Sequence, residues 1–215
     1  MSQPTFVLAS ASPARRHTLH QAGLAPVVQV SDVDEDAALV DAEQRYGVLQ
    51  PDQAALVLAR AKAEAVSATL DDGLVLGCDS LLELDGQAYG KPRDAAEAVQ
   101  RWQLMSGRSG VLHTGHWLVD LRPTAEGGSG ATLGAVASTV VNFAALSPAE
   151  IEAYVATGEP LQVAGAFTTD GLGGAYVRGI EGDHHNVVGV SLPLLRELLD
   201  ECGVAWHTLW ASGAS

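Results

Sequence analysis

The chain has 215 residues, 47% of them hydrophobic, so it can bury a sizeable core in one large domain or two small ones. Its formal charge is −14 with no basic face, which excludes duplex nucleic acid and anionic membranes as general partners. It has no charged-then-apolar leader and no apolar run long enough for a bilayer, so a soluble cytoplasmic protein is expected.

Residues 5–9 read as a first strand. A loop of small residues follows, Ser10-Ala11-Ser12-Pro13, and then a short helix over 14–22, stopped by Gly23. Ser12 is a good N-cap and Pro13 suits the first helical position. A strand, a small-residue loop and a helix start with Arg15 and Arg16 can bind an anion, or can be an ordinary capped helix. Residues 27–33 alternate as a second strand and run into Asp32, Asp34, Glu35 and Asp36. Those acids read as a solvated turn, or as a source of a metal ligand. Residues 51–70 form the clearest helix, with Ala54, Leu58, Ala61, Ala65 and Val66 at helical spacing and Arg60 and Lys62 within it.

Leu74, Val75 and Leu76 form a buried strand that ends in Gly77-Cys78-Asp79-Ser80. A hairpin follows, from Leu81 to Tyr89 around Asp85-Gly86, and leads to Gly90-Lys91-Pro92-Arg93. A carboxylate at the mouth of a buried strand costs desolvation energy unless a charge or a hydrogen bond meets it. Asp79, Ser80 and Lys91 can converge to hold a metal ion and a phosphate. Equally, Asp79 can cap the next element beside a solvated lysine. Six of the twelve basic residues lie near these segments: Arg15, Arg16, Arg60, Lys62, Lys91 and Arg93. In so acidic a chain this suggests a local anion site, with a divalent cation offsetting the remaining negative charge.

A helix is expected over 94–105, and paired strands over 111–121 and 131–143 flank a Gly/Ser/Pro loop. His113 and His116, three apart on a strand, point to opposite faces, so they do not share a metal. Ser147-Pro148-Ala149-Glu150 is a capping-box signature opening another helix. A strand over 175–180, a helix over 192–202 and a terminal strand over 204–210 complete the chain. Cys78 and Cys202 sit in apolar elements and read as reduced, buried thiols. With no repeat and no composition break, residues 1–215 form a single domain. The pattern predicts an α/β fold with a mixed, extended sheet, flanking helices and two lobes around a central cleft.

Several segments together resemble the Maf proteins. They are Leu8 through Arg16, Ala59-Arg60-Ala61-Lys62-Ala63, Gly77-Cys78-Asp79-Ser80, Gly90-Lys91-Pro92 and Ser106-Gly107-Arg108. Thr114-Gly115, Gly158-Glu159-Pro160, Ala164-Gly165-Ala166-Phe167 and Asn186-Val187-Val188-Gly189 continue the match in family order. The resemblance implies a nucleoside triphosphate pyrophosphatase that uses Mg²⁺ or Mn²⁺ and releases a nucleoside monophosphate and pyrophosphate. It also implies the fold shared with inosine triphosphate pyrophosphatases, commonly a homodimer, and a possible regulatory role in septum formation.

Under that resemblance Asp79 is the catalytic acid and Ser10, Arg15, Lys62 and Lys91 are phosphate-site residues. Glu35, in the Asp34-Glu35 pair, matches an acid near the metal, which the resemblance assigns to Asp79 and Glu35. Arg15, Ser80 and Asp170 match positions linked to base choice. Three departures bear on the base. Ala14 stands where some members have Arg. Gln162-Val163 stands where members acting on dTTP and UTP have Asp-Lys. Asp170 stands where those members have glutamine, and members acting on 7-methyl-GTP have an acid there.

Overall fold

A computed structural model of the protein describes residues 3–211. One seven-stranded mixed sheet organises it, with β1 (Phe6–Ala9), β2 (Val27–Val28), β3 (Leu74–Leu84), β4 (Gln87–Tyr89), β5 (Ser109–Asp120), β6 (Thr132–Phe143) and β7 (Val177–Glu181). The order is β2-β1-β3-β5-β6-β7, with β4 paired to β3. β1 runs parallel to β2 and β3, and the other pairs are antiparallel. The helices are α1 (Pro13–Gln21), α2 (Glu35–Tyr46), α3 (Pro51–Ser67), α4 (Ala95–Met105), α5 (Pro148–Ala156), α6 (His184–Val188) and α7 (Leu192–Glu201). None of the described helices is long and apolar enough to cross a membrane.

The long strands β3, β5 and β6 run through two cores. At one end Leu8, Leu74, Leu76 and Leu118 pack with Leu195 and Leu199 of α7. At the other end Leu82, Leu84, Leu112, Val141 and Phe143 pack with Trp102 of α4 and Tyr154 of α5. Trp102 meets Phe143, Tyr154 and Tyr176 edge-on. Between the cores the strands turn polar: Asp79 and Ser80 on β3 face register partners Gly115 and Thr114 on β5. All four sit where one apolar cluster stops and the next begins.

Four expectations change. Residues 27–33 give a strand of only two residues, because β1 offers just Phe6–Ala9 as a partner. The acids at 34–36 open a helix rather than a solvated turn. Asp34 caps α2 by accepting from the Ala37 backbone at 3.0 Å, and Glu35 and Asp36 suit its positive end. Only Ala42 of α2 is buried, so apolar periodicity gave no signal. β3 does not end at Gly77 but continues through Asp79 to Leu84, which puts the acid in mid-strand. Residues 204–210 are not a strand. They form a single 3₁₀ turn at Trp206–Leu209 and one bridge from Trp210 to Leu24.

Candidate active site

β1 stops at the level of Gly77, and β4 reaches back only as far as Leu82, opposite its last residue Tyr89. Residues 78–81 therefore pair with β5 on one edge and, among the described residues, have no strand on the other. This notch in the sheet gathers chain from both sides. The loop after β1 carries Ser10 and leads into α1. Lys91 lies two residues beyond Tyr89, whose backbone pairs with Leu82. Because strand side chains alternate, Asp79 and Ser80 serve opposite faces of the sheet at one level.

On the Asp79 face lies α3. Gly77 and Gly115 let it approach closely. A Cβ on Gly77 would sit 2.2 Å from the Ala59 carbonyl oxygen, and one on Gly115 would sit 2.3 Å from that of Ala55. Ala55, Ala59 and Ala63 are fully buried there. This contact lays Lys62 against the sheet. Its Nζ lies 2.5 Å from Asp79 Oδ1 and 2.7 Å from Glu35 Oε1. Asp79 is buried, and burial raises its carboxyl pKa above the ordinary value, opposed by Lys62 and by Arg15. A carboxyl raised in this way is a stronger proton acceptor when ionised.

On the Ser80 face lies Arg15, only 8% exposed. Its Nε donates to the Gly189 carbonyl (2.7 Å), Nη1 to Ser10 Oγ (2.9 Å) and Nη2 to Ser80 Oγ (3.0 Å). All three acceptors are neutral. Among the described residues this buried guanidinium has no ion-pair partner in contact, which suits it to attract an anion. Ser12 fixes the approach by capping α1 at the Arg15 backbone.

Two carboxylates, Glu35 and Asp79, reach one ammonium from different elements. Their oxygens are hard donors of the type that holds Mg²⁺ or Mn²⁺ together with phosphate oxygens and water. The residues thus fit the divalent cation expected from the sequence, as a pair of ligands. Cys78, fully buried beside Asp79, is held by burial at a pKa of about 12, which makes it packing rather than a nucleophile. His113 and His116 do face apart. His113 bonds Ser138 and Glu83, while His116 bonds the Thr114 carbonyl and the Ser191 backbone N–H.

Of the expected residues, the structure brings Ser10, Arg15 and Ser80 into one hydrogen-bonded set, and Glu35, Lys62 and Asp79 into another. Lys91 and Asp170 stand apart from both and are exposed. Three further residues had no role assigned from sequence. Thr114 Oγ1 lies 2.9 Å from Ser80 Oγ and donates to the Asn186 carbonyl (3.1 Å). Asn186 Nδ2 donates to the Leu112 carbonyl and to Thr139 Oγ1, which ties α6 to the sheet. Glu159 accepts from Tyr154 Oη, Thr168 Oγ1 and the backbone N–H groups of Leu172 and Gly173. Although burial opposes it, these donors hold the Glu159 carboxyl at a pKa of about 2. Glu159 thereby pins the loop that carries Asp170. The signal for all three was their place in the matched segments, which marks a position without stating its contacts.

A family model described as Maf-like protein matches residues 5–202. Among curated relatives, the nucleoside triphosphate pyrophosphatase of Salinispora tropica is 55% identical, covering 98% of this chain and 89% of its own. The protein of the same description from Streptomyces coelicolor is 53% identical, covering 96% and 94%. That from Leifsonia xyli is 50% identical, covering 94% and 95%. The ordered motifs, the mixed sheet and these full-length matches agree, and the chain belongs to the Maf-like protein family.

Proposed function

We propose that this protein is a nucleoside triphosphate pyrophosphatase, hydrolysing its substrate to a nucleoside monophosphate and pyrophosphate. One observation carries the reading. Adjacent residues of a single strand, Asp79 and Ser80, meet an acid–lysine–acid set on one face and a buried arginine bonded to neutral oxygens on the other. Such a notch separates proton transfer from anion binding within the length of a triphosphate.

In this reading Arg15, with Ser10 and Ser80, seats phosphate oxygens, and among the described residues Arg15 makes no hydrogen bond to a carboxylate. Lys91, exposed beyond β4, closes on the phosphates from the other side of the notch. Asp79 accepts the proton of a water aligned on the α-phosphorus, and the O–P bond forms as the bond to the pyrophosphate oxygen breaks. Lys62 orients Asp79 and balances its charge with that of Glu35. A divalent cation held by Glu35 and Asp79 would neutralise charge on the triphosphate. Asp170 reads the base and favours guanine, including a 7-methyl form, over pyrimidines. The reading also includes a homodimer, as the family resemblance implies.

The test is pyrophosphate release from a panel of nucleoside triphosphates, with Mg²⁺ or Mn²⁺ and with chelator, for wild type and Asp79→Asn. The substitution keeps size and removes the proton acceptor, so kcat should fall by about 10²–10⁴ with the circular dichroism spectrum unchanged. Wild-type kcat in the variant would remove Asp79 from the reaction.

A further inference from the structure

Three metal-ligating side chains follow one another between β7 and α7: Asp183, His184 and His185. One ligand atom from each lies within 4.8 Å of the other two. The imidazole rings are 3.8 Å apart between centroids, tilted by 38°. Asp183 Oδ1 accepts from the His185 backbone N–H at 2.9 Å and lies 3.3 Å from His185 Nδ1. Asp183 Oδ2 is closed from solvent and has no hydrogen-bond partner among the described residues. A carboxylate oxygen in that position has lost water without gaining a donor, which is costly unless a cation meets it.

We propose that Asp183, His184 and His185 form a binding site for a divalent first-row transition metal such as Zn²⁺, separate from the Glu35–Asp79 pair. Two imidazoles and a carboxylate are borderline donors that favour Zn²⁺, Co²⁺ or Ni²⁺ over Mg²⁺. Metal–ligand bonds of about 2.0–2.2 Å place neighbouring ligand atoms about 3.0–3.5 Å apart, so the cluster needs to draw in only slightly, and Asp183 Oδ1 and His185 Nδ1 are already 3.3 Å apart. They can do so: His184 is exposed, and Asp183 and His185 are only partly buried. Helix capping alone does not account for the cluster. The cap uses only Oδ1, which also faces His185 Nδ1, and leaves Oδ2 and the His184 ring to another partner. The site also lies next to functional chain. Asn186, which follows His185, accepts from Thr114, and Gly189 holds Arg15. Two cation sites of different donor chemistry then flank the notch, one of oxygens only and one of nitrogen and oxygen.

The experiment is calorimetric titration of Zn²⁺ into chelator-stripped, full-length protein in millimolar Mg²⁺, with Co²⁺ followed by its visible absorption. Wild type and Glu35→Gln should each bind one equivalent. His184→Asn, at an exposed side chain that leaves the fold intact, should weaken binding at least about tenfold. The double variant His184→Asn with His185→Asn should lose it. No saturable Zn²⁺ binding in wild type, or equal binding in the double variant, overturns the proposal. The readout is metal binding alone, so it stands or falls independently of the pyrophosphatase reading.

Discussion

Asp170 sits exposed on a loop that Glu159 pins through three hydrogen bonds, from Thr168 Oγ1 and the Leu172 and Gly173 N–H groups. That combination of a free carboxylate and a fixed backbone suits recognition of a ligand edge. An ionised carboxylate only accepts hydrogen bonds and has two oxygens side by side. Guanine offers N1–H and the exocyclic amine as adjacent donors. Uracil and thymine offer one N–H between two carbonyl oxygens, which a carboxylate repels. A glutamine amide offers both a donor and an acceptor. Asp170→Gln should therefore shift the guanine-to-pyrimidine ratio of kcat/KM towards pyrimidines, on the order of tenfold. Measuring both ratios in wild type and variant decides it, since an unchanged ratio means that Asp170 does not read the base.

At the scale of elements, the seating of α3 on the sheet sets the position of Lys62. Gly77→Ala would place a methyl 2.2 Å from the Ala59 carbonyl oxygen and 2.8 Å from Ala63. Either α3 or β3 must then move. Overpacking of this kind costs about 1–3 kcal/mol. Lys62 lies three residues from Ala59, so kcat/KM should fall further than the loss of thermal stability explains. A fully active, destabilised variant would show that Lys62 does not depend on this contact. The strong elements were legible because their signals are local. α3 has its alanines and leucines at helical spacing, α5 has Ser147 and Glu150 as a capping box, and β5 and β6 are long, largely apolar runs either side of a Gly/Ser/Pro loop. α2 was missed because its faces are nearly all exposed and only its Asp34 cap marks it. The notch was not legible, because it arises where β1 stops and β4 starts along β3, a matter of register between distant segments. Asp79 and Lys62 could be named from the chain. The paired opposition of Lys62 to Glu35, and of Arg15 to neutral oxygens alone, could not.

The molecule as a whole carries a charge of −14, yet its reading requires it to hold a polyanion. The chain has just two lysines, Lys62 and Lys91, and both belong to the proposed phosphate site. Local placement thus counters the global field, helped by the low dielectric around Arg15. The fold also carries a pH dependence. His116 is fully buried, and its Nε2 accepts from the Ser191 N–H, so the proton sits on Nδ1 facing the Thr114 carbonyl. Burial lowers its pKa to about 4. The unfolded chain takes up this proton near pH 6.5, before the folded chain does. Stability is thus complete above about 6.5 and lost as pH falls towards 4, by about 3 kcal/mol. Asp79, with its raised pKa, acts in the opposite direction, and Glu159 adds to the loss at lower pH still. Both are common to wild type and His116→Gln, so denaturant unfolding of the pair at pH 7 and pH 4.5 isolates the histidine. The variant should lose less stability between the two, and equal losses would contradict the assignment.

The central claim is attack of a water on the α-phosphorus, with Asp79 as proton acceptor. Turnover in water enriched in the heavy oxygen isotope tests it most directly, with mass spectrometry of both products. The account predicts one heavy oxygen in the nucleoside monophosphate, none in the pyrophosphate, and loss of the labelled product in Asp79→Asn. Label in the pyrophosphate, or release of orthophosphate in its place, would contradict it.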